Sequence, residues 1–400
     1  MTFDALWPWR WNAQRPAVER LAWLTDVRQT GRGKENRTRI REHPRRGAQF
    51  QAVIHGAAAR RFDARMWEVG TKTWLLPMWW DAAKPTSFAI SVGGGSGGVD
   101  VYQWSGPGIG QWREWSQGGY VVAIRGDTAE AYEVLDFTDD TVQTADEVDS
   151  ALGSGAVIYP AWPAALQSVQ PVDREGPEVL VVEVSFELID YRSPDGLALP
   201  QQYDGADVLT DRPDSSGERS TEYERQVEVV DFETGAITRY DDSSRPFLTR
   251  SPLYLWRDKQ RAWERRRWFQ RLGGAHRSFG APTYHRDLEV VGLTPDGLEL
   301  QVERDGQVEA YDDELGRSHV YLRVRGESTA YIREVEFFAD EEDYTIAQLT
   351  EALPSFDPAD VIQCSWLEKV RLAGDVVEIS WLTSHVAEAS LGLRGIDADL

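Results

Sequence analysis

Two patterns with catalytic or phosphate-binding potential coincide in one glycine-rich run. Residues 94–98, Gly-Gly-Ser-Gly-Gly, fit the G-x-S-x-G pattern of a serine nucleophile, and Gly93, Gly95 and Gly98 fit G-x-G-x-x-G. Both patterns need a helix directly after the turn, because the helix N-terminus faces the nucleophile or the phosphate. Residues 99–104 instead alternate in the manner of a strand. The run is therefore predicted to be a flexible hairpin loop, not a site.

Metal and thiol chemistry find equally little support. The histidines show no H-x-x-x-H pair, and no cysteine or acidic cluster accompanies them at the spacing of zinc ligands. The single cysteine, Cys364, lies in an apolar run and is expected to be a small buried strand residue. It cannot form a disulfide within the chain, which favours assembly in a cytoplasm. We predict no metal site, no cofactor and no catalytic residue.

Paired carboxylates offer a hydrolase alternative. Asp139-Asp140, Asp241-Asp242 and Asp312-Asp313 could in principle supply the acid and base of a glycosidase. Each pair lies in a predicted turn, and nothing in the sequence brings two pairs together. Solvated turn residues are the favoured interpretation, and a hydrolase remains an alternative.

Charge and hydropathy restrict the partners. The net charge of −23 argues against nucleic acid, because Lys and Arg drive phosphate binding. No apolar run approaches the ~18 residues of a membrane span, and the first residues lack a signal-peptide pattern. The 17 Trp are unusual, and since Trp is enriched in interfaces as well as cores they indicate more contact surface than a monomer needs.

A Trp-rich element occurs twice. Residues 62–81 contain a short helical segment, then Trp-Leu-Leu-Pro-Met-Trp-Trp, and end at Asp81. Residues 263–287 repeat the plan with a basic Trp-rich helix, a Gly-Gly stop, Pro282 and Asp287. Core or subunit interface is the favoured role for Trp79 and Trp80, and an exposed platform for sugars is the alternative.

Each Trp-rich element has a basic block, at residues 28–46 and 257–271. The alternatives are a solvated basic face, a docking face for an acidic neighbour such as another copy, and, least favoured, a nucleic-acid site. On the docking hypothesis, the interface candidates are Trp7, Trp9, Trp11, Arg37, Arg39, Arg41, Arg45, Arg46, Trp79, Trp80, Arg265, Arg266, Arg267 and Trp268.

The pattern along the chain predicts a mainly β protein with a few short helices. The clearest strand is 180–188, where apolar residues alternate with Glu and Ser. The most helical stretch is 253–272, with Gly273 as its stop. Thr345 and Gln348 form a possible capping box for a short helix before Pro354.

The predicted architecture is a set of small β-sandwich or barrel domains in two halves. The expected divisions are an N-terminal β-rich domain at 1–92, a small barrel or sandwich at 93–198, a linker at 199–220, the second Trp and helix element at 221–292, and a C-terminal β domain at 293–400.

Short motifs in a fixed order make the chain resemble a family of tailed-bacteriophage tail proteins. The motifs run through most of the chain, and the second half departs from the pattern at 279–282, where Phe-Gly-Ala-Pro lacks the tryptophan of Trp-Leu-Leu-Pro. They are Trp-Leu-Thr-Asp at 23–26, Pro-Arg-Arg at 44–46, Trp-Leu-Leu-Pro-Met-Trp at 74–79, Ile-Tyr-Pro at 158–160, Ala-Pro-Thr-Tyr at 281–284, Asp-Leu at 287–288, Val-Arg-Leu at 370–372 and Val-Glu-Ile at 377–379.

The resemblance implies a structural part of the tail tip or baseplate, such as a distal tail or hub-type protein. Such parts form rings around the tail axis, most often six-fold or three-fold, and contact the tail tube, hub and fibres. Symmetric rings use heterologous, self-repeating interfaces. The expected location is the virion, after assembly in the host cytoplasm. A carbohydrate-binding receptor module at the tail tip is the alternative function, and a tail-associated hydrolase is a less favoured one.

Overall fold

The computed structural model is mainly β, which confirms the predicted fold class. In the described part of the chain, mostly antiparallel strands form a 15-stranded sheet, a 10-stranded sheet and three two-stranded sheets. The structure describes residues 3–29, 34–69, 72–92, 100–153, 155–167, 171–176, 178–189, 191–214, 221–224, 227–231, 235, 237–241, 247–304 and 317–396.

In its described residues, the first half of the chain contains fourteen strands and two α-helices. They are β1 (Ala5–Leu6), β2 (Ala17–Ala22), β3 (Thr25–Gln29), β4 (Glu35–Arg39), β5 (Arg45–His55), α1 (Ala57–Val69), β6 (Thr73–Pro77), β7 (Ser87–Ser91), β8 (Val101–Ser105), β9 (Tyr120–Arg125), β10 (Thr128–Thr138), β11 (Thr141–Thr144), α2 (Ser150–Gly153), β12 (Val157–Leu166), β13 (Val172–Gly176) and β14 (Val179–Leu188). A 3₁₀ turn at Trp79–Asp81 follows β6.

The second half has the same character with one long helix. Its elements are β15 (Gln202–Tyr203), β16 (Ala206–Asp207), β17 (Thr221–Glu224), β18 (Val227–Asp231), β19 (Ile237–Asp241), β20 (Phe247–Arg250), β21 (Leu253–Trp256), α3 (Lys259–Leu272), β22 (Phe279–Pro282), β23 (Val290–Leu293), β24 (Glu299–Glu303), β25 (His319–Val324), β26 (Tyr331–Asp340), β27 (Tyr344–Leu349), β28 (Val361–Leu372), β29 (Val376–Trp381), β30 (Ala387–Ser390) and β31 (Leu393–Gly395).

The two halves share one topology over most of their strands. In the first half six neighbours follow the order β12-β9-β10-β11-β8-β7, and in the second half the order β28-β25-β26-β27-β24-β23 repeats it. The other pairings also correspond: β2 with β5 and β17 with β20, hairpins β3–β4 and β18–β19, and β6 on β12 and β22 on β28. We call β1 to β14 the first repeat and β16 to β31 the second repeat.

The repeats differ in the strand pair formed by β5 and β14 and in its counterpart in the second repeat. In the first repeat β5 pairs with β14, which also carries β13. In the second repeat this long pair is divided, so that β20 pairs with β31 and β21 with β30, while β29 takes the place of β13. Pro252 lies between β20 and β21 and cannot donate to a ladder, which accounts for the division.

Within the residues that the structure describes, one strand pair joins the repeats. Strand β29 of the second repeat pairs antiparallel with β2 of the first over its whole length, from Ala17 opposite Trp381 to Ala22 opposite Val376. The sheet therefore continues from one repeat into the other, and the largest apolar core cluster contains residues from both.

Several predicted elements are confirmed. The period-two stretch forms β14, whose apolar side chains are buried on one face. Helix α3 ends at Gly273, whose φ of 65° is the left-handed conformation that glycine adopts easily. The stretch that follows the glycine run is strand β8, as the alternation predicts, while residues 93–98 lie outside the described residues.

Other expectations are wrong. Helix α3 begins at Lys259, capped by Asp258, and the preceding part of the predicted helix is strand β21. The predicted helix after Thr345 is strand β27, and the Thr345 hydroxyl donates to Asp340 at 2.7 Å instead of capping a helix. The pairs Asp241-Asp242 and Asp312-Asp313 lie wholly or partly outside the described residues.

The expected domain boundaries do not separate sheets. Strands from 1–92 and from 93–198 pair with each other, since β14 lies between β5 and β12. The stretch expected as a linker also differs, because Leu199, Val208 and Leu209 are buried. Residues 215–220 lie outside the described part of the chain.

Candidate functional site

The N-terminal aromatic arm predicted as an interface is part of the protein core. Trp7 is fully buried, with its ring centroid 5.0 Å from that of Phe186 and 5.3 Å from that of Trp74. Trp9 is buried against Phe62, with 5.0 Å between ring centroids. The prediction that Trp7 and Trp9 contact another copy is therefore wrong, since the chain itself covers them. Trp11 is half-buried.

Tryptophans of the two Trp-rich elements are buried in the same way. Trp79 packs edge-on against Tyr159, and Trp80 stacks on Trp381 with 6.0 Å between ring centroids. Trp268 on α3 packs against Phe279 of its own repeat. Trp79, Trp80 and Trp268 are thus core residues and offer no surface to another copy. The stack of Trp80 on Trp381 does cross between repeats.

The predicted basic docking residues Arg46 and Arg266 lie in the interior, at the boundary between the repeats. Arg266 on α3 donates from both terminal nitrogens to Asp81 Oδ2 at 3.2 Å, and its Nε lies 3.4 Å from Glu114 Oε1. Arg46 on β5 donates to Glu114 and places Nη2 2.8 Å from Glu19 Oε1 as an ion pair without hydrogen-bond geometry. The docking prediction is wrong for both, because these partners are in the same chain.

A lysine completes this group, which we call the central ion cluster (Glu19, Arg46, Asp81, Glu114, Lys259 and Arg266). Lys259 begins α3, forms an ion pair with Asp81, and donates to the Trp80 carbonyl at 2.8 Å. Its Nζ also lies 4.4 Å from the centre of the Trp381 ring, a cation–π contact. The second repeat thus inserts two cations of one helix into acidic positions of the first.

The cations of the cluster lower the pKa of two of its carboxyl groups, Asp81 and Glu114. Burial alone would raise the pKa of Asp81, but Arg266 and Lys259 outweigh it and lower that pKa to about 2. For Glu114, burial is likewise outweighed by Arg266 and Arg46, so its pKa is lowered. Burial lowers the pKa of Lys259 to about 8 despite the attraction of Asp81.

The charges of the cluster pair with one another inside the chain. Three cations balance Glu19, Asp81 and Glu114, and all six side chains are buried. Catalysis needs a group with access to a substrate, and perturbed pKa values also arise in structural ion-pair networks. Removing one partner of a buried pair leaves an uncompensated charge. The cluster therefore fixes the relative position of the two repeats.

The remaining basic candidates divide between buried and accessible positions. Arg265 is buried, bidentate on Asp211 at 2.6 and 2.8 Å, and so is not a docking residue. The other candidates keep part of their surface in solvent. Arg37, Arg39, Arg41 and Arg267 are half-buried, and Arg45 is exposed.

A pocket lined by tryptophans adjoins the central ion cluster. The loop between β8 and β9 contributes Trp112 and Trp115, β12 contributes Trp162, and α3 contributes Trp263. The pocket has a volume of about 520 Å³. Arg267 lies over the Trp263 ring at 5.1 Å. An aromatic-lined cleft with a few polar groups is typical of small-ligand sites.

Sequence reasoning missed the acidic half of the cluster and Lys259. Glu19, Asp81 and Glu114 lie far apart in sequence, so no spacing connects them. One signal was present on α3: Lys259, Ala262, Arg266 and Phe269 recur at three- and four-residue spacing, which places cations on a buried stripe. A basic residue inside an apolar stripe indicates a buried acidic partner.

Comparison with known proteins adds no family. The chain matches no family model, and it matches no curated protein. Among the described residues, no group of three or more His, Cys, Asp or Glu side chains is arranged to hold a metal ion. No helix in the described part of the chain is long and apolar enough to cross a membrane.

Proposed function

We propose that this chain is a structural, non-enzymatic subunit of a bacteriophage tail tip or baseplate. In this role it forms a ring around the tail axis with copies of itself and connects the tail tube to the hub or fibres. The observation that carries the proposal is the duplicated fold, in which two repeats of one topology are joined edge to edge by β2 and β29. Two units in a fixed side-by-side arrangement suit a rotationally symmetric assembly.

The central ion cluster supports the same proposal. A ring subunit must hold its two units at one angle, since a small error at each junction prevents closure. The cluster joins α3 of the second repeat to three positions of the first repeat through buried ion pairs. Buried pairs of this kind serve geometry better than stability.

The test is the size and symmetry of the purified chain. Light scattering across micromolar concentrations should give a defined oligomer, and electron-microscope class averages should show a ring of three-fold or six-fold symmetry. A chain that remains monomeric at every concentration, and is absent from tail particles, would contradict the proposal.

The Trp-lined pocket favours one alternative, a carbohydrate-binding module at the tail tip. Sugar rings stack on aromatic faces, and this pocket presents Trp112, Trp162 and Trp263 at partly accessible positions. Saturable binding of host-cell glycans that is lost in Trp162→Ala and kept in Trp67→Ala would support it. Trp67 is the matched control because it is exposed on α1, away from the pocket.

A further inference from the structure

The β29–β2 junction has two unused counterparts on the same chain. By topology, β13 of the first repeat corresponds to β29, and β17 of the second repeat corresponds to β2. Strand β13 pairs only with β14, and strand β17 pairs only with β20, so within the described residues each has one open edge. An open edge presents unpaired N–H and C=O groups that can accept another strand.

The pairing registers of the two repeats identify which residues are equivalent, first around β2 and β17. Ala48 on β5 faces Phe186, which faces Leu166 on β12; in the second repeat Arg250 faces Leu393, which faces Leu372 on β28. Ala48 and Arg250 are therefore equivalent positions.

Counting from these positions identifies the residue equivalent to Leu21. Leu21 faces Arg46, two residues before Ala48, and Tyr223 faces Leu248, two residues before Arg250. Leu21 is 0% exposed, whereas Tyr223 is 67% exposed. The same apolar position is covered at the junction and uncovered at the open edge.

The β29 side gives the same result. Leu180 and Ala387 are equivalent, because they face Ile54 and Trp256, which occupy the same position relative to the starts of α1 (Ala57) and α3 (Lys259). Val172 faces Val182, which lies two residues after Leu180. Ile379 lies two residues before Trp381, which faces Ala387. Val172 and Ile379 are therefore equivalent positions. Ile379 is 0% exposed and Val172 is 39% exposed.

We propose that the β13 edge of one chain pairs with the β17 edge of the next, so that the β29–β2 junction within a chain is reproduced between chains. The partner is a second copy of this chain, and the inference rests on the ring-forming role proposed above. The contact is heterologous, since it joins two different edges, and each chain keeps one edge of each kind for its neighbours. Repetition of the same step closes a ring when the rotation between repeats divides a full turn.

Neighbouring side chains fit this contact. In the second repeat α3 lies beside β29 and packs against the first repeat. Helix α1 lies beside β13, to which it is joined by the Asp63–Arg174 ion pair, but most of its length is exposed. Trp67 on α1 is 92% exposed. Helix α1 carries Arg60, Arg61 and Arg65 against Asp63 and Glu68, and β17 carries Glu222 and Glu224, so the two surfaces differ in net charge. Three of these side chains also form exposed ion pairs within the chain, Arg60 with Glu178, Arg65 with Glu68 and Glu224 with Arg394.

The junction predicts which residues meet. Glu19 faces Ile379 within the chain, and Thr221 and Val172 occupy their positions at the open edges. The test is the double variant Val172→Cys/Thr221→Cys, oxidised mildly at a concentration where the oligomer forms. Both sites are exposed, and the native Cys364 is buried. We expect disulfide-linked species larger than dimers on a non-reducing gel.

The matched control is Val172→Cys/Leu135→Cys, because Leu135 is also exposed but lies on β10 between β9 and β11. An intact oligomer that cross-links no more in the test variant than in this control would overturn the edge proposal and leave the ring proposal standing. A chain that is monomeric throughout would overturn both. Each single variant should retain the wild-type melting temperature.

Discussion

Helices α1 and α3 occupy equivalent positions in the two repeats and have opposite surroundings. In α1 only Ala59 and Phe62 are buried among the residues whose burial is described, and Trp67 is exposed to solvent. In α3 most side chains are buried, including the cations Lys259 and Arg266. The difference arises because α3 has a neighbouring repeat in the same chain to cover it. The position of an element in the fold therefore determines its secondary structure, while the elements around it determine which residue types it requires.

The largest expected effect distinguishes the cations of the two helices. Arg266→Ala leaves Asp81, Glu19 and Glu114 short of a buried partner, and should lower the free energy of unfolding by about 3–5 kcal/mol. Arg65→Ala on α1 removes an exposed pair with Glu68, for which a loss of about 0.5 kcal/mol or less is expected. Urea unfolding measures both, and equal losses would show that the two helices are not in different environments.

The tryptophans sharpen the same comparison. Trp80→Ala removes a buried ring stacked between the repeats and should cost about 3–5 kcal/mol. Trp67→Ala should leave thermal stability unchanged, because solvent already surrounds the ring. If β13 of one chain pairs with β17 of the next, Trp67→Ala should instead weaken self-association, measured by light scattering. A large fall in melting temperature for Trp67→Ala would contradict this assignment.

A pH dependence follows from the α3 contacts. Since the pKa of Asp81 is lowered from 3.8 to about 2 in the folded chain, its contribution is complete above pH 3.8 and is lost as the pH falls through about 2. The contribution is about 2 kcal/mol. The unfolding free energy of the wild type should fall more steeply between pH 4 and 2 than that of Asp81→Asn. Parallel profiles would show that Asp81 is not responsible.

The smallest effect concerns the open edge beside α1. Glu183 N–H donates to the Pro171 carbonyl, and the alternation of an antiparallel pair then points the Val172 N–H away from β14. Val172→Pro removes that donor, and should raise the dissociation constant of the oligomer about tenfold, for a hydrogen bond of about 1.4 kcal/mol. Val172→Ala keeps the N–H and is the control for the lost side chain. Equal association of the two variants would argue against strand pairing at this edge.

Local patterns predicted local structure well. Alternation predicted β14, and a basic Trp-rich run with a glycine stop predicted the C-terminal part and end of α3. The duplicated Trp element was visible because Pro77 and Pro282 end equivalent strands. These features depend on residues within one or two turns of each other, which a sequence displays directly.

The candidate site could not be predicted because its partners meet only in three dimensions. Arg46 and Arg266 are strongly basic residues in basic blocks, a pattern typical of exposed faces. Their burial depends on Glu19 and Glu114, which reach them through β2 and the β8–β9 loop. Likewise the burial of Trp80 depends on Trp381, on a strand 300 residues later in the chain.

The pairing of β2 with β29 also governs when the molecule can finish folding. Residues 17–22 lack one neighbour in their sheet until residues 376–381 have left the ribosome. Contacts between such distant segments slow folding and leave strand edges uncovered meanwhile. During synthesis the edge of β2 is open to nascent copies of the same chain, so we expect the yield of folded protein to rise when chaperones protect this early segment.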